Sequence, residues 1–161
     1  CAAGLRCWPH SLRPCNGHDH AMKTPPDEAR SRTMRAVKSK HTGPERQVRR
    51  MLFAAGYRYR LHEASLPGAP DVVFPARRKV IFIHGCFWHG HDCKRGARPP
   101  KQNAAYWAAK IERNRARDAR RLDELAAAGW ACYIVWECAL KDKPALLSAL
   151  AAFLGPPRRK A

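Results

Sequence analysis

Acidic side chains are scarce in this chain of 161 residues: 13 aspartates and glutamates stand against 31 lysines and arginines, a net charge of +18 with a pI near 10.4. Such an excess works against compactness and makes an acidic polymer the natural partner. Arginine outnumbers lysine, and its planar fork suits phosphates and guanine edges. Nucleic acid therefore leads over a surface charged merely for solubility. Long apolar runs are missing as well. No stretch approaches a membrane-spanning helix and none has a signal-peptide pattern, so no membrane partner is expected. A cytoplasmic protein is expected, most simply bacterial and nucleoid-associated when bound to DNA. Thiols stay reduced there, so the seven cysteines read as metal ligands or core residues rather than disulfides.

Methionine comes late, with Met22 the first. Cys1, Cys7 and Cys15 lie in a stretch rich in Pro, His, Gly and Arg, without apolar periodicity and at spacings poor for a zinc ribbon. Residues 1–29 are expected to be a disordered tail or an artefact of start-site choice or cloning. Residues 30–155 form the domain and 156–161 a basic tail. No internal repeat is visible, and 45% apolar residues over this length fit one domain with a real core.

From Ser31 the pattern becomes ordered. Ser31 can cap a short basic helix to about Lys40, and Thr42-Gly43-Pro44-Glu45 opens a second to Ala55. Tyr57–Leu61 alternates and predicts a strand, as do Asp71–Phe74 and Lys79–Ile83, the last two joined as a hairpin through Pro75–Arg78. A long helix from Asn103 to Ala128, a strand from Trp130 to Trp136 and a helix from Pro144 to Leu154 follow. The order predicts a three-layer α/β/α domain on a mixed central sheet.

Between these elements lies Ile83-His84-Gly85-Cys86-Phe87-Trp88-His89-Gly90-His91-Asp92-Cys93. A strand ending in imidazoles, thiols and flat rings suggests a site at the lip of the sheet that holds metal and presents apolar groups. Phe87 and Trp88 are expected on an exposed loop, the alternative being a core pair. Glu45 shares the helical stripe of Val48 and Leu52, and Asp118 that of Ile111 and Leu122. Buried carboxylates are costly unless paired or bound to metal. Either alone reads as the partner of a nearby arginine. Together with Asp71 and His84 they suggest a divalent-cation site at the end of the 79–83 strand.

Pro70-Asp71, followed a dozen residues later by Phe82-Ile83-His84, resembles the core of the PD-(D/E)xK nuclease fold, with His84 where its lysine would fall. Four motifs carry a more specific likeness. They are Ser31-Arg32-Thr33-Met34-Arg35-Ala36, Ala64-Ser65-Leu66-Pro67-Gly68-Ala69-Pro70-Asp71, Phe82–His89, and Val135-Trp136-Glu137-Cys138-Ala139-Leu140. Over about residues 30–142 the chain resembles the very-short-patch mismatch repair endonucleases (Vsr).

The resemblance implies a restriction-endonuclease-like fold and a Mg2+-dependent enzyme. It would nick one strand of duplex DNA 5′ of the thymine in a T·G mismatch left by deamination of 5-methylcytosine. Asp71 would be the principal Mg2+ ligand, with the main-chain carbonyl of Ile83, where relatives often have threonine. His89 would be the general base, with Asp118 polarising it and His84 and Glu45 around the site. Cys86, His91, Cys93 and Cys138 would hold a structural Zn2+, His89 and His91 pointing opposite ways. Cys132 fits a buried thiol better. Met34, Phe87 and Trp88 would wedge into the base stack, and Arg30, Arg32, Arg35 and Lys38 would grip phosphates. A monomer is expected, and a mismatch-repair coordinating protein is a possible partner. The competing readings are a non-catalytic zinc module that binds DNA and a restriction-type nuclease. The first leaves Asp71, His89, Asp118 and Glu45 without a joint purpose. The second needs a dimer face, and none is obvious.

Overall fold

The computed structural model describes residues 40–98 and 102–157. Helix α1 spans Gly43–Ala54, strand β1 Val72–Phe74 and strand β2 Lys79–His84. Helix α2 spans Ala104–Ala127, strand β3 Ala131–Trp136 and helix α3 Lys143–Leu154. Thr42 starts α1 with a capping box: its hydroxyl accepts from the Glu45 amide, and Glu45 returns to the Thr42 amide. Asp142 starts α3 by accepting from the Ala145 amide at 3.0 Å.

β1 and β2 pair antiparallel through a 3-10 turn at Pro75–Arg77, and β2 and β3 pair parallel with α2 as the crossover. The sheet is mixed, in the order β1-β2-β3. Alternation along its strands builds two cores. Val72, Phe74 and Ile81 face Val48 and Leu52 of α1 and Leu146, Leu150 and Leu154 of α3. Val73, Val80 and Phe82 face Leu125 of α2, with Leu122 and Trp130 packed alongside. Helices thus cover both faces, as the three-layer reading requires.

The expected strand at Tyr57–Leu61 does not form. Its backbone makes one isolated bridge, Arg60 to Val73, because β1 beside it is three residues long and offers no longer ladder. The alternation was real but serves side chains: Tyr57 and Tyr59 both set their rings edge-on against Phe74. The expected helix from Ser31 falls largely outside the described residues. Among the described residues, no helix is long and apolar enough to cross a membrane.

Candidate active site and metal centre

Because β2 and β3 are parallel, the segments that leave them emerge at the same edge of the sheet, where His84 pairs with Trp136. That register brings Cys86 of the loop after β2 to Cys138 of the 3-10 turn after β3. Cys86, His91, Cys93 and Cys138 each offer a ligand atom within 4.8 Å of the other three. Cys86 is fully buried, and His91 Nδ1 lies 3.5 Å from Cys138 Sγ while its ring stacks on Trp136 at 4.2 Å. The His91 hydrogen bond and the Gly96 amide draw the Cys93 thiol down to about 6, whereas burial pushes Cys86 up to about 12. Three thiols and one imidazole at this spacing fit a closed tetrahedral zinc site, whose edges are roughly 4 Å. A bound cation would also favour the buried Cys86 as thiolate.

The two histidines flanking Gly90 diverge, as expected. His91 joins the thiols, and His89 places Nδ1 2.5 Å from Asp118 Oδ2 on α2. Gly90 sits at φ +60°, and a Cβ there would lie 2.7 Å from Ile111 Cγ2 of α2. Glycine adopts that conformation freely and lets the loop lie close against the helix. His84 stacks on His89 with ring centroids 3.8 Å apart and planes within 9°. Burial, then the neighbouring His89, lowers the His84 pKa to about 4, so this ring is neutral at pH 7. A carboxylate only accepts. Nδ1 of His89 therefore carries the proton that faces Asp118, which in the neutral ring leaves Nε2 as the acceptor nitrogen.

A second acidic group forms around Asp71. Glu45, His62 and Asp71 also offer ligand atoms within 4.8 Å of one another. Asp71 Oδ2 accepts from the Ile83 amide at 2.7 Å, tying it to the end of β2. Burial raises the Asp71 carboxyl to about 6, against the pull of that amide. Glu45 is buried and bridged to Arg49 at 2.5 Å. His62 Nε2 lies 2.8 Å from Arg49 and its Nδ1 3.8 Å from Asp71 Oδ1. Burial, then Arg49, lowers the His62 pKa.

The carboxylates expected at one place therefore divide into two groups. Glu45 comes from α1 on one face of the sheet and Asp118 from α2 on the other, while Asp71 lies at the strand end. Glu45 does pair with an arginine. Asp118 instead takes His89 as its near partner, Arg117 and Arg121 standing at 3.8 and 4.0 Å. His62 and Arg49 were missed. An isolated histidine in a polar segment and an arginine on a mixed helix give no signal until the fold joins them.

Phe87 and Trp88 leave the sheet in a loop but are half-buried rather than exposed. With Trp107 of α2 they form a cluster of three rings, centroids 5.2 to 5.9 Å apart, and Lys110 Nζ lies over Trp88 and Trp107. Mutual packing removes more apolar surface from water than lone exposure could. Met34, Arg30, Arg32, Arg35 and Lys38 lie outside the described residues.

Known proteins resemble this chain closely. The family described as DNA mismatch endonuclease Vsr matches residues 23–95. The type II nicking enzyme V.XorIIP of Xanthomonas oryzae is 53% identical over 129 residues, 80% of this chain and 94% of that one. The type II nicking enzyme V.NmeAIP of Neisseria meningitidis is 45% identical over 114 residues, 71% of this chain and 81% of its own. The DNA mismatch endonuclease Vsr of Escherichia coli is 42% identical over 117 residues, 73% of this chain and 74% of that protein. Endonucleases are the class these relatives define. The chain belongs to the Vsr family of DNA mismatch endonucleases.

Proposed function

We propose that this protein nicks one strand of duplex DNA on the 5′ side of the thymine in a T·G mismatch, the first step of very-short-patch repair. The observation that carries the reading is the pair His89–Asp118 at the end of the same strand to which Asp71 is tied through Ile83. An oriented imidazole and an anchored carboxylate at one strand end are the parts phosphodiester hydrolysis uses. Relatives named as nicking enzymes favour single-strand cleavage over a restriction-type double-strand break.

Asp71, with the main-chain carbonyl of Ile83, would hold Mg2+, which when bound supplies positive charge for the phosphate in the transition state. His89 accepts the proton of the attacking water at Nε2, because Asp118 holds the ring with Nδ1 protonated and stabilises the imidazolium that forms. His84, neutral and stacked on His89, limits that ring's rotation without adding a competing positive charge. The Cys86, His91, Cys93 and Cys138 cage holds Zn2+ and fixes the loop that carries His89. Phe87 and Trp88 enter the stack beside the mispair, where unstacking costs least, with Met34 as a third wedge. Arg30, Arg32, Arg35 and Lys38 grip phosphates. The enzyme works as a monomer in the bacterial cytoplasm.

The test is strand-specific cleavage of an end-labelled duplex carrying one T·G mismatch, against its T·A control, with Mg2+. One nick 5′ of the thymine supports the reading, and equal cutting of both duplexes removes the mismatch from it. Tight binding without cleavage would instead favour the non-catalytic zinc module.

Two variants examine the parts. Asp118→Asn should lower the nicking rate about a hundredfold with little change in DNA affinity, since it disturbs the His89 tautomer rather than a DNA contact. An unchanged single-turnover rate would remove Asp118 from the machinery. Trp88→Ala should narrow the preference for T·G over T·A duplexes by roughly tenfold while general duplex affinity holds. Undiminished discrimination together with a lower melting temperature would mark Trp88 as a packing residue alone.

A further inference from the structure

Arg49 is the most enclosed cation around the Asp71 site, 7% exposed on α1. A guanidinium only donates, so every nitrogen facing it must accept. Its NH2 group lies 2.5 Å from Glu45 Oε2 and 2.8 Å from His62 Nε2, and NH1 lies 2.9 Å from His41 Nδ1. His62 Nε2 also lies 3.6 Å from Glu45 Oε2, but the nearer guanidinium contact at 2.8 Å requires it to be unprotonated. In the neutral ring the proton must then sit on Nδ1, the nitrogen that faces Asp71 Oδ1 at 3.8 Å. One small side-chain adjustment or one bridging water completes a hydrogen bond across that gap.

We propose that His62 is a positioning residue for Asp71: Arg49 fixes its tautomer, and the resulting Nδ1–H orients the Asp71 carboxylate toward a divalent cation. The inference rests on the nuclease reading and adds to it a residue outside the expected machinery. With Oδ2 held by the Ile83 amide and Oδ1 by His62, both oxygens are directed and each keeps a lone pair for metal.

A further observation supports it. His41 and His62 both adopt left-handed backbone, at φ +56° and +47°. That conformation is uncommon outside glycine, and such strain persists where the surroundings over-determine it, often at functional sites. Direct ligation by His62 is the weaker alternative. Its Nε2 lone pair is committed to Arg49, and the Glu45 oxygens already accept from Thr42, the His41 amide and Arg49.

The experiment uses the zinc-loaded full chain with 15N-labelled histidine and Mn2+ as the probe ion. Long-range 1H–15N spectra should place the His62 proton on Nδ1 before any divalent cation is added. His62→Phe, which keeps a flat ring without the donor, should weaken Mn2+ binding roughly tenfold by electron paramagnetic resonance, with Asp71→Asn as the blank. The Mg2+ concentration for half-maximal nicking should rise by a similar factor. His62→Gln, which restores an N–H donor, should recover most of the loss. A proton on Nε2, or equal Mn2+ affinity in wild type and His62→Phe, would overturn the inference. Wild-type protein that cuts no duplex yet shows the Nδ1 proton and the Mn2+ difference would sink the nuclease reading and support the role of His62. Robust nicking with Mn2+ affinity indifferent to His62 would do the reverse.

Discussion

Asparagine in place of Asp71 is expected to give a protein that is more stable without divalent cations and unable to cut DNA. The carboxyl is mostly buried and holds its proton up to about pH 6, burial being the main cause. Because that value lies above the ordinary 3.8, the native state binds more protons than the unfolded chain between them. Stability contributed by this group is therefore present below about pH 4 and is lost as pH rises to about 6. Asparagine carries no charge to desolvate, and its Oδ1 can still accept from the Ile83 amide. The stability gap between variant and wild type should open from pH 4 to 6 and level off above, at about 3 kcal/mol. Thermal denaturation of zinc-loaded protein in magnesium-free buffer would show it. A gap independent of pH would mean that the carboxyl is not strained by its surroundings. Cleavage should vanish while binding to a mismatched duplex persists, because the aspartate serves the cation rather than the DNA. Loss of binding together with folding would remove that role.

Serine at Cys138 should have the second large effect. The thiol joins the segment after β3 to the loop after β2, so its loss opens the cage from the strand side. Zinc should leave the protein, and stability should fall by roughly 3 kcal/mol or more, since a structural zinc supplies folding free energy directly. Nicking should fall with it, because His89 lies two residues before His91 on the same loop. Metal stoichiometry by mass spectrometry checks the first point and thermal melting the second. The comparison is Cys132→Ser: Cys132 lies outside the four-ligand group, and its variant should keep zinc. Full zinc retention in Cys138→Ser would exclude Cys138 from the cage.

What could be read from the amino acids follows the range of each interaction. The helix opening at Thr42–Glu45 and the Val48–Leu52 stripe are local, and both stand in the structure as expected. The β1–β2 hairpin and the length of α2 were legible for the same reason. Tyr57–Leu61 misled because alternation reports which side chains are buried, and two tyrosines packing on Phe74 satisfy it without a ladder. In the site, the 84–93 segment announced itself by composition. Asp118 was legible as a carboxylate on an apolar helix stripe, while its pairing with His89 and the part of Cys138 came only through family resemblance. His62 and Arg49 were invisible for a different reason. Their meaning is a tautomer, set by which nitrogen faces which donor, and no residue pattern encodes that. Trp107 was hidden similarly, as one of two adjacent aromatics on a long basic helix until the loop folds over it.

Gly90 carries one more consequence, for how this loop can evolve. His89 and His91 join different side-chain groups across a single residue, and that residue rests against α2 at positive φ. Inserting or deleting one position would rotate one histidine out of its partner's reach and misplace the other. The length of the segment from Cys86 to Cys93 is therefore constrained as well as its residues.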